Sequence, residues 1–230
     1  MAHLVQKYFK YIKRIIKSKL HNFQNRIYWT KYYKSHRENA QPSPFAQYCF
    51  RKYCSLNKNA KILELGCGNG RDSIFFMKQG LNVLGLDIVR EQLKYLRKKY
   101  VSSNNVTFYC TDFTAYAKPE FYDYIYSRFT IHVITEEQET LTLENCYKNL
   151  KKNGLLFIEV RSIKDEMFAK SNKISSTEGK TDHYRRFAVF DKLIEKITMC
   201  GFEIVEATES CGLAIYKDED PCIIRIIAKK

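Results

Sequence analysis

Three groups of residues in this chain could do chemistry. The first is a glycine run, Glu64-Leu65-Gly66-Cys67-Gly68-Asn69-Gly70, followed by Arg71. Glycines let the chain turn sharply and let backbone N–H groups approach a ligand closely. The second is a pair of acids: Asp87, 21 residues after Gly66, and Asp112 in Thr111-Asp112-Phe113. A carboxylate ending the strand after a glycine loop can accept two hydrogen bonds from ribose hydroxyls. The third is Arg128, Arg161, Arg185 and Arg186, with His132 and His183 among them. Arginine forks match phosphate and carboxylate oxygens. Histidine titrates near working pH and can take a proton from a hydroxyl acceptor. A phosphate-type oxygen would need no base, and both histidines would then only bind.

Details of the glycine run narrow the ligand. Its pattern is G-x-G-x-G, not the G-x-G-x-x-G of dinucleotide sites. Arg71, at the sixth place, is too bulky for close helix packing on a pyrophosphate. Glu64 would repel a pyrophosphate and suits a cationic aminoacyl sulfonium. With Asp87 and Thr111-Asp112-Phe113, the run resembles the class I S-adenosylmethionine-dependent methyltransferases, over residues 60–160 by motif and 187–230 by pattern. The resemblance implies S-adenosylmethionine as cofactor, S-adenosylhomocysteine as product, and no metal. It implies that Gly66 and Gly68 lie against the methionine portion, that Asp87 binds the ribose, and that Asp112 with Phe113 contacts the adenine. Glu64, Cys67, Arg71, Ile88 and Ser127 complete the expected cofactor set. Tyr28-Trp29-x-x-Tyr32-Tyr33 and Pro42-Ser43-Pro44-Phe45-Ala46 resemble the lead-in of small-molecule enzymes of this class, whose aromatics cover the cofactor. Tyr28, Tyr32 or Tyr33 could hydrogen-bond the cofactor carboxylate.

The elements that must position these groups alternate. Apolar runs predict strands at 61–65, 82–86, 106–109, 121–126, 155–160, 202–207 and 222–228. Helical periodicity predicts helices at 44–54, 71–79, 91–100, 135–151 and 187–199. That alternation implies a doubly wound, mostly parallel seven-stranded α/β sheet, Rossmann-like, with functional loops gathered at one end. The resemblance further implies that the last strand runs antiparallel between its neighbours, as a hairpin with the strand before it. Residues 162–186 read as a long polar loop, a lid-like insertion in a domain spanning 56–230. Residues 1–55 read as an arm: a basic amphipathic helix over 4–23, then an aromatic cap.

At the acceptor side, all four arginines are expected near one mouth with Tyr184, predicting a phosphorylated or otherwise anionic small molecule. The alternative for each arginine is an ion pair with Asp182, Glu159 or Asp123, and a cluster of four is expected to leave some unpaired. Amino-directed relatives carry Asn/Asp-Pro-Pro-Tyr after the fourth strand. Ser127-Arg128-Phe129-Thr130 stands there instead and favours an oxygen acceptor. His132 and His183 are the candidate bases. The motifs around residues 42–46, 70–73, 126–129 and 183–187 look similar to bacterial enzymes that modify capsule or surface-glycan precursors, phosphoramidate-modifying ones included.

Charge placement weighs against a nucleic-acid partner. The net charge is +14, yet residues 1–37 hold ten of the basic residues and no acid, leaving 29 basic against 25 acidic elsewhere. The arm could pack on the body or a second subunit, lie on a membrane surface, or grip RNA. An RNA methyltransferase predicts salt-dependent binding that is lost when residues 1–27 are removed; the small-molecule reading predicts unchanged specificity. A non-catalytic partner subunit with the same fold predicts cofactor binding without methyl transfer. Eight cysteines without a CxxC pair or a zinc spacing read as reduced thiols of a cytoplasmic protein, peripheral to a membrane if the arm binds one. The oligomeric state is left open.

Overall fold

Alternating apolar residues build the centre of the molecule. Its structure, a computed structural model, describes residues 20–38, 41–216 and 218–230. In strand β1 (Lys61–Leu65), Ile62 faces one core while Leu63 and Leu65 face the other. In β5 (Leu150–Arg161), Phe157 joins the first core and Leu156, Ile158 and Val160 the second. A period of two with both faces apolar requires cover on both sides. Helices α2 (Pro44–Cys49), α3 (Arg71–Lys78) and α4 (Arg90–Lys99) cover the first face with Phe45, Phe76, Leu93 and Leu96. Helices α5 (Glu136–Asn149) and α7 (Phe190–Met199) cover the other with Leu143, Leu193 and Ile197.

The seven strands lie in the order β3-β2-β1-β4-β5-β10-β9, where β2 is Asn82–Asp87, β3 Val106–Cys110, β4 Tyr122–Arg128, β9 Glu203–Ser210 and β10 Ile223–Lys229. The first five are parallel, and β10 runs antiparallel between β5 and β9. This is the expected doubly wound sheet with its terminal hairpin. The order reverses between β1 and β4, so the loops leaving their carboxyl ends diverge and open a crevice there.

Helix starts follow their caps. Thr135 and Gln138 form a capping box before α5. Ser43 accepts from Ala46 N before α2, whose first residue is Pro44. A π-helical turn, Phe50–Cys54, completes the segment expected at 44–54.

Three expectations need correction. Residues 162–186 are not an irregular loop: they fold as α6 (Glu166–Lys170), capped by Asp165, and a three-stranded antiparallel sheet of β6 (Asn172–Lys173), β7 (Glu178–Lys180) and β8 (Tyr184–Arg186). Strands of two or three residues are too short to show a period. The helix expected over 4–23 falls mostly outside the described residues, but a helix, α1, runs from 20 to 35 through the supposed aromatic lead-in. Its aromatics stack four apart, Trp29 on Tyr33 at 5.9 Å and Tyr32 on His36 at 4.1 Å between centroids, which is helical spacing. Finally, Cys211 and Cys222 pair as a disulfide, whereas Cys49, Cys54, Cys67, Cys110, Cys146 and Cys200 are free. Among the described residues no helix is long and apolar enough to cross a membrane.

Candidate active site

The crevice at the strand-order reversal is a cavity of about 250 Å³, walled by the loops after β1, β2, β3 and β4 and roofed by α1. The chain leaves β1 through Gly66 and Gly68, with φ of 67° and 53°, a left-handed conformation that glycine adopts freely. Any side chain here would collide with cavity-wall residues: a Cβ on Gly66 would lie 2.4 Å from Thr130, and one on Gly68 2.1 Å from the Tyr33 hydroxyl. The two glycines therefore make a cradle closed by the loop after β4 and by α1.

Four acids border the cavity: Glu64, Asp72, Asp87 and Asp112. Asp87 is buried at the end of β2 and holds the loops, accepting from Gly68 N at 2.9 Å and Val89 N at 2.9 Å. The Ile88 N–H also contributes, and the carboxylate keeps lone-pair capacity for a further donor. Asp112 accepts from Thr114 N at 2.9 Å and Thr114 Oγ1 at 2.8 Å through one oxygen, and from Asn22 Nδ2 at 2.7 Å through the other. Asp72 accepts from Ser43 N and Oγ and from the Tyr126 hydroxyl at 2.8–2.9 Å, and Arg71 Nε lies 3.2 Å away. Glu64 is 5% exposed and accepts from Ser73 Oγ. Burial, reinforced by the charge of Asp72, pushes the Glu64 carboxyl up to about 8. A ligand cation at this wall would restore its ionised form. A cradle for close backbone approach beside a buried carboxyl that stays raised in spite of Arg71 fits a ligand with a positive aminoacyl end.

The roof is α1. Asn25 Nδ2 donates to Val133 O at 2.7 Å, and His21 Nε2 reaches the same oxygen at 2.7 Å. Asn22 accepts from Gln138 Nε2 at 2.9 Å as well as holding Asp112. Tyr33 closes on Gly68, and Asn69 Nδ2 donates to His36 O at 3.1 Å.

Of the expected cofactor residues, the cavity gathers Tyr32, Tyr33, Glu64, Gly66, Cys67, Arg71, Asp87, Ile88, Asp112 and Phe113. Gly68 lies beneath Tyr33 rather than on the wall. Two placements are corrected. Tyr28 stands away from the wall and donates to Asp182 instead. Ser127 is buried within the sheet, between Leu65 and Ile158, and its Oγ finds no hydrogen-bond partner among the described residues. Asn22, Asn25, Asn69, Asp72 and Thr130 also line the cavity and were not anticipated. The signal for the first two was present: 22, 25, 29, 32 and 33 share one helical face.

The acceptor residues divide differently from expectation. Arg128 is on the cavity wall; Arg161, Tyr184, Arg185, Arg186, His132 and His183 are not. All four arginines have carboxylate partners, contrary to the expectation that some would not. Arg128 pairs with Glu159 at 2.7 Å, Arg161 with Asp165 and Glu219 at 2.9 and 2.8 Å, Arg185 with Asp182 at 2.6 Å, and Arg186 with Glu139 at 3.1 Å. Asp165, Glu219 and Glu139 come from loops and a helix whose proximity no local pattern shows. Tyr184 donates to Glu178. His132 and His183 are buried beneath the wall, His132 stacked behind Phe129 and His183 behind Tyr28 and Trp29. Neither is placed to take a proton from a molecule in the cavity.

Comparison with known proteins agrees with this geometry. Residues 62–154 match the family described as a methyltransferase domain. Phosphoethanolamine N-methyltransferase of Plasmodium falciparum is 31% identical over 105 residues, 45% of this chain and 40% of that enzyme, so the chain spans well under half its length. The methyltransferase YqeM of Bacillus subtilis is 25% identical over 202 residues, 76% of this chain and 82% of that one. A SAM-dependent methyltransferase of Methanosarcina mazei superposes with a TM-score of 0.67 at 18% identity, covering 76% of this chain and 94% of that one. The chain has the class I methyltransferase, Rossmann-like fold, and its residues 62–154 are similar to the methyltransferase-domain family.

Proposed function

We propose, from that fold and that local match, that the protein transfers a methyl group from S-adenosylmethionine to a small anionic acceptor. The observation that carries the cofactor half is Glu64, a buried carboxyl beside the glycine cradle that burial and the charge of Asp72 raise in spite of the nearby Arg71. The cradle would take the methionine portion, with Glu64 opposite its positive end. Asp87 would hold the ribose through its remaining lone pairs, and Asp112, oriented by Asn22, would meet the adenine with Phe113. When bound, S-adenosylmethionine supplies a methyl group on positive sulfur, open to direct displacement.

Such a displacement depends mainly on alignment. Trp29, Tyr32 and Phe129 wall the side of the cavity next to Arg128. They would exclude water and orient the acceptor. Arg128 uses Nε on Glu159, which leaves its terminal nitrogens for an acceptor oxygen. With both histidines beneath the wall, the reading favours a nucleophile that needs no base, such as an oxygen that is already ionised. The phosphorylated substrate in the name of the Plasmodium relative supports an anionic acceptor. Phosphorylated precursors of surface glycans are one class that meets the description. Radiolabelled methyl transfer to a panel of phosphorylated and carboxylated small molecules tests the reading. Transfer to uncharged analogues in preference to charged ones would overturn the acceptor half.

A further inference from the structure

The mechanism above leaves two buried histidines unused. His132 and His183 are 4% and 6% exposed. Among the described residues His132 Nδ1 and His183 Nε2 have no hydrogen-bond partner, and His183 Nδ1 lies 3.2 Å from Asp182 Oδ1 without hydrogen-bond alignment. A buried polar atom left unsatisfied costs about 1–3 kcal/mol, so two in one place call for a reason. Around them stand three arginines from three separate elements: Arg128 ending β4, Arg161 ending β5 and Arg185 in β8. Burial first, and then Arg185 and Arg161, hold His132 well below the usual histidine range and His183 at about 4. Asp182, Asp165, Glu219 and Glu159 balance the arginines. Among the described residues Arg185 engages them through Nη1 and Arg128 through Nε, so each guanidinium keeps further N–H groups.

Phe129 and Trp29 stand between this cluster and the cavity, Trp29 with its ring centroid 5.0 Å from that of His183. Phe129 lines the cavity on one side and stacks on His132 on the other, with centroids 5.6 Å apart. The guanidiniums of Arg128 and Arg161 lie 4.3 and 5.5 Å from its ring centre. Its φ is 51°, an outlier for a bulky side chain that persists only where surrounding structure imposes it. A strained aromatic separating a cavity from unsatisfied buried donors has the geometry of a gate.

We infer that His132 and His183, with Arg128 and Arg185, form an oxyanion subsite behind Phe129 that takes the anionic group of the acceptor when the Phe129 ring swings aside. The histidines are then binding residues, donating from Nδ1 of His132 and Nε2 of His183, and not bases. This rests on the anionic-acceptor reading above and assigns the group a place. A phosphate-sized oxyanion fits the donor set, since it can accept from several directions at once.

Inorganic phosphate is the probe. The imidazole NMR signals of His132 and His183, assigned with His132→Gln and His183→Gln, are followed in the full chain as phosphate is added to about 50 mM, a range that detects millimolar affinity. Phosphate should shift both signals and raise both titration midpoints. Phe129→Ala should tighten phosphate binding about tenfold, a change of about 1.4 kcal/mol, with Phe129→Leu between it and wild type. Unmoved signals in wild type and in both Phe129 variants would overturn the subsite, as would shifts confined to exposed histidines such as His36. S-adenosylhomocysteine binding, measured on the same samples, separates the two readings. If it binds without phosphate, only the subsite falls; if phosphate binds without it, only the methyltransferase reading falls.

Discussion

Glu64 shows how one residue trades stability for ligand binding. Its carboxyl is raised from the ordinary range to about 8, so between these limits the folded state holds a proton that the unfolded chain has lost. Folding stability therefore declines as pH rises from about 4.5 towards 8. Glu64→Gln should stabilise the ligand-free protein by about 2 kcal/mol at pH 8 and by much less at pH 5, measured by thermal unfolding. The same variant should weaken S-adenosylmethionine binding. His183 has the opposite sign. Its pKa is depressed to about 4, so its contribution is present above pH 6.5 and lost as pH falls towards 4. Asp87→Ala removes a carboxylate that accepts from two backbone N–H groups and faces the cavity. It should weaken cofactor binding at least tenfold by calorimetry; unchanged affinity would remove Asp87 from the site. His132→Gln should raise KM for the acceptor more than it lowers kcat. A loss confined to kcat would restore His132 as a base.

At the scale of elements, α1 changes how the arm is understood. Its residues 20–35 carry Asn22, Asn25, Trp29, Tyr32 and Tyr33 to the cavity wall. A truncation that removes residues 1–27 also takes Asn22 and Asn25 from the cavity wall, so it does not isolate the basic segment. The informative cut is at residue 19. Removal of 1–19 should preserve cofactor affinity, whereas removal through 35 should reduce it at least a hundredfold by calorimetry. Salt-dependent RNA binding abolished by the shorter cut would favour the RNA alternative. Asn22→Ala should weaken cofactor binding about three- to tenfold, because Asp112 loses the partner that fixes one of its oxygens.

Across the whole molecule, the legible parts are those written in local patterns. The strands of β1, β4 and β5 carry nearly continuous apolar runs, and the glycine run marks the turn after β1. Strand order follows because βα alternation permits few topologies. The proposed cofactor residues come from three strand ends and could be read as motifs. The acceptor side could not. Its arginines meet partners 3 to 58 residues away in sequence, and the tiny strands of the insertion are held by tertiary contacts rather than by a period. The roof helix shows a third case: its i, i+4 aromatics were visible, but the polar residues among them masked the helical face.

Isothermal titration of the full chain with S-adenosylmethionine at pH 7, in buffers of different ionisation enthalpy, tests the central claim most directly. The account predicts one cofactor per chain, with a Kd in the micromolar range or tighter. It also predicts up to one proton released as Glu64 ionises against the bound cation, and that release should vanish in Glu64→Gln. No binding heat at millimolar cofactor, with the protein folded, would contradict it.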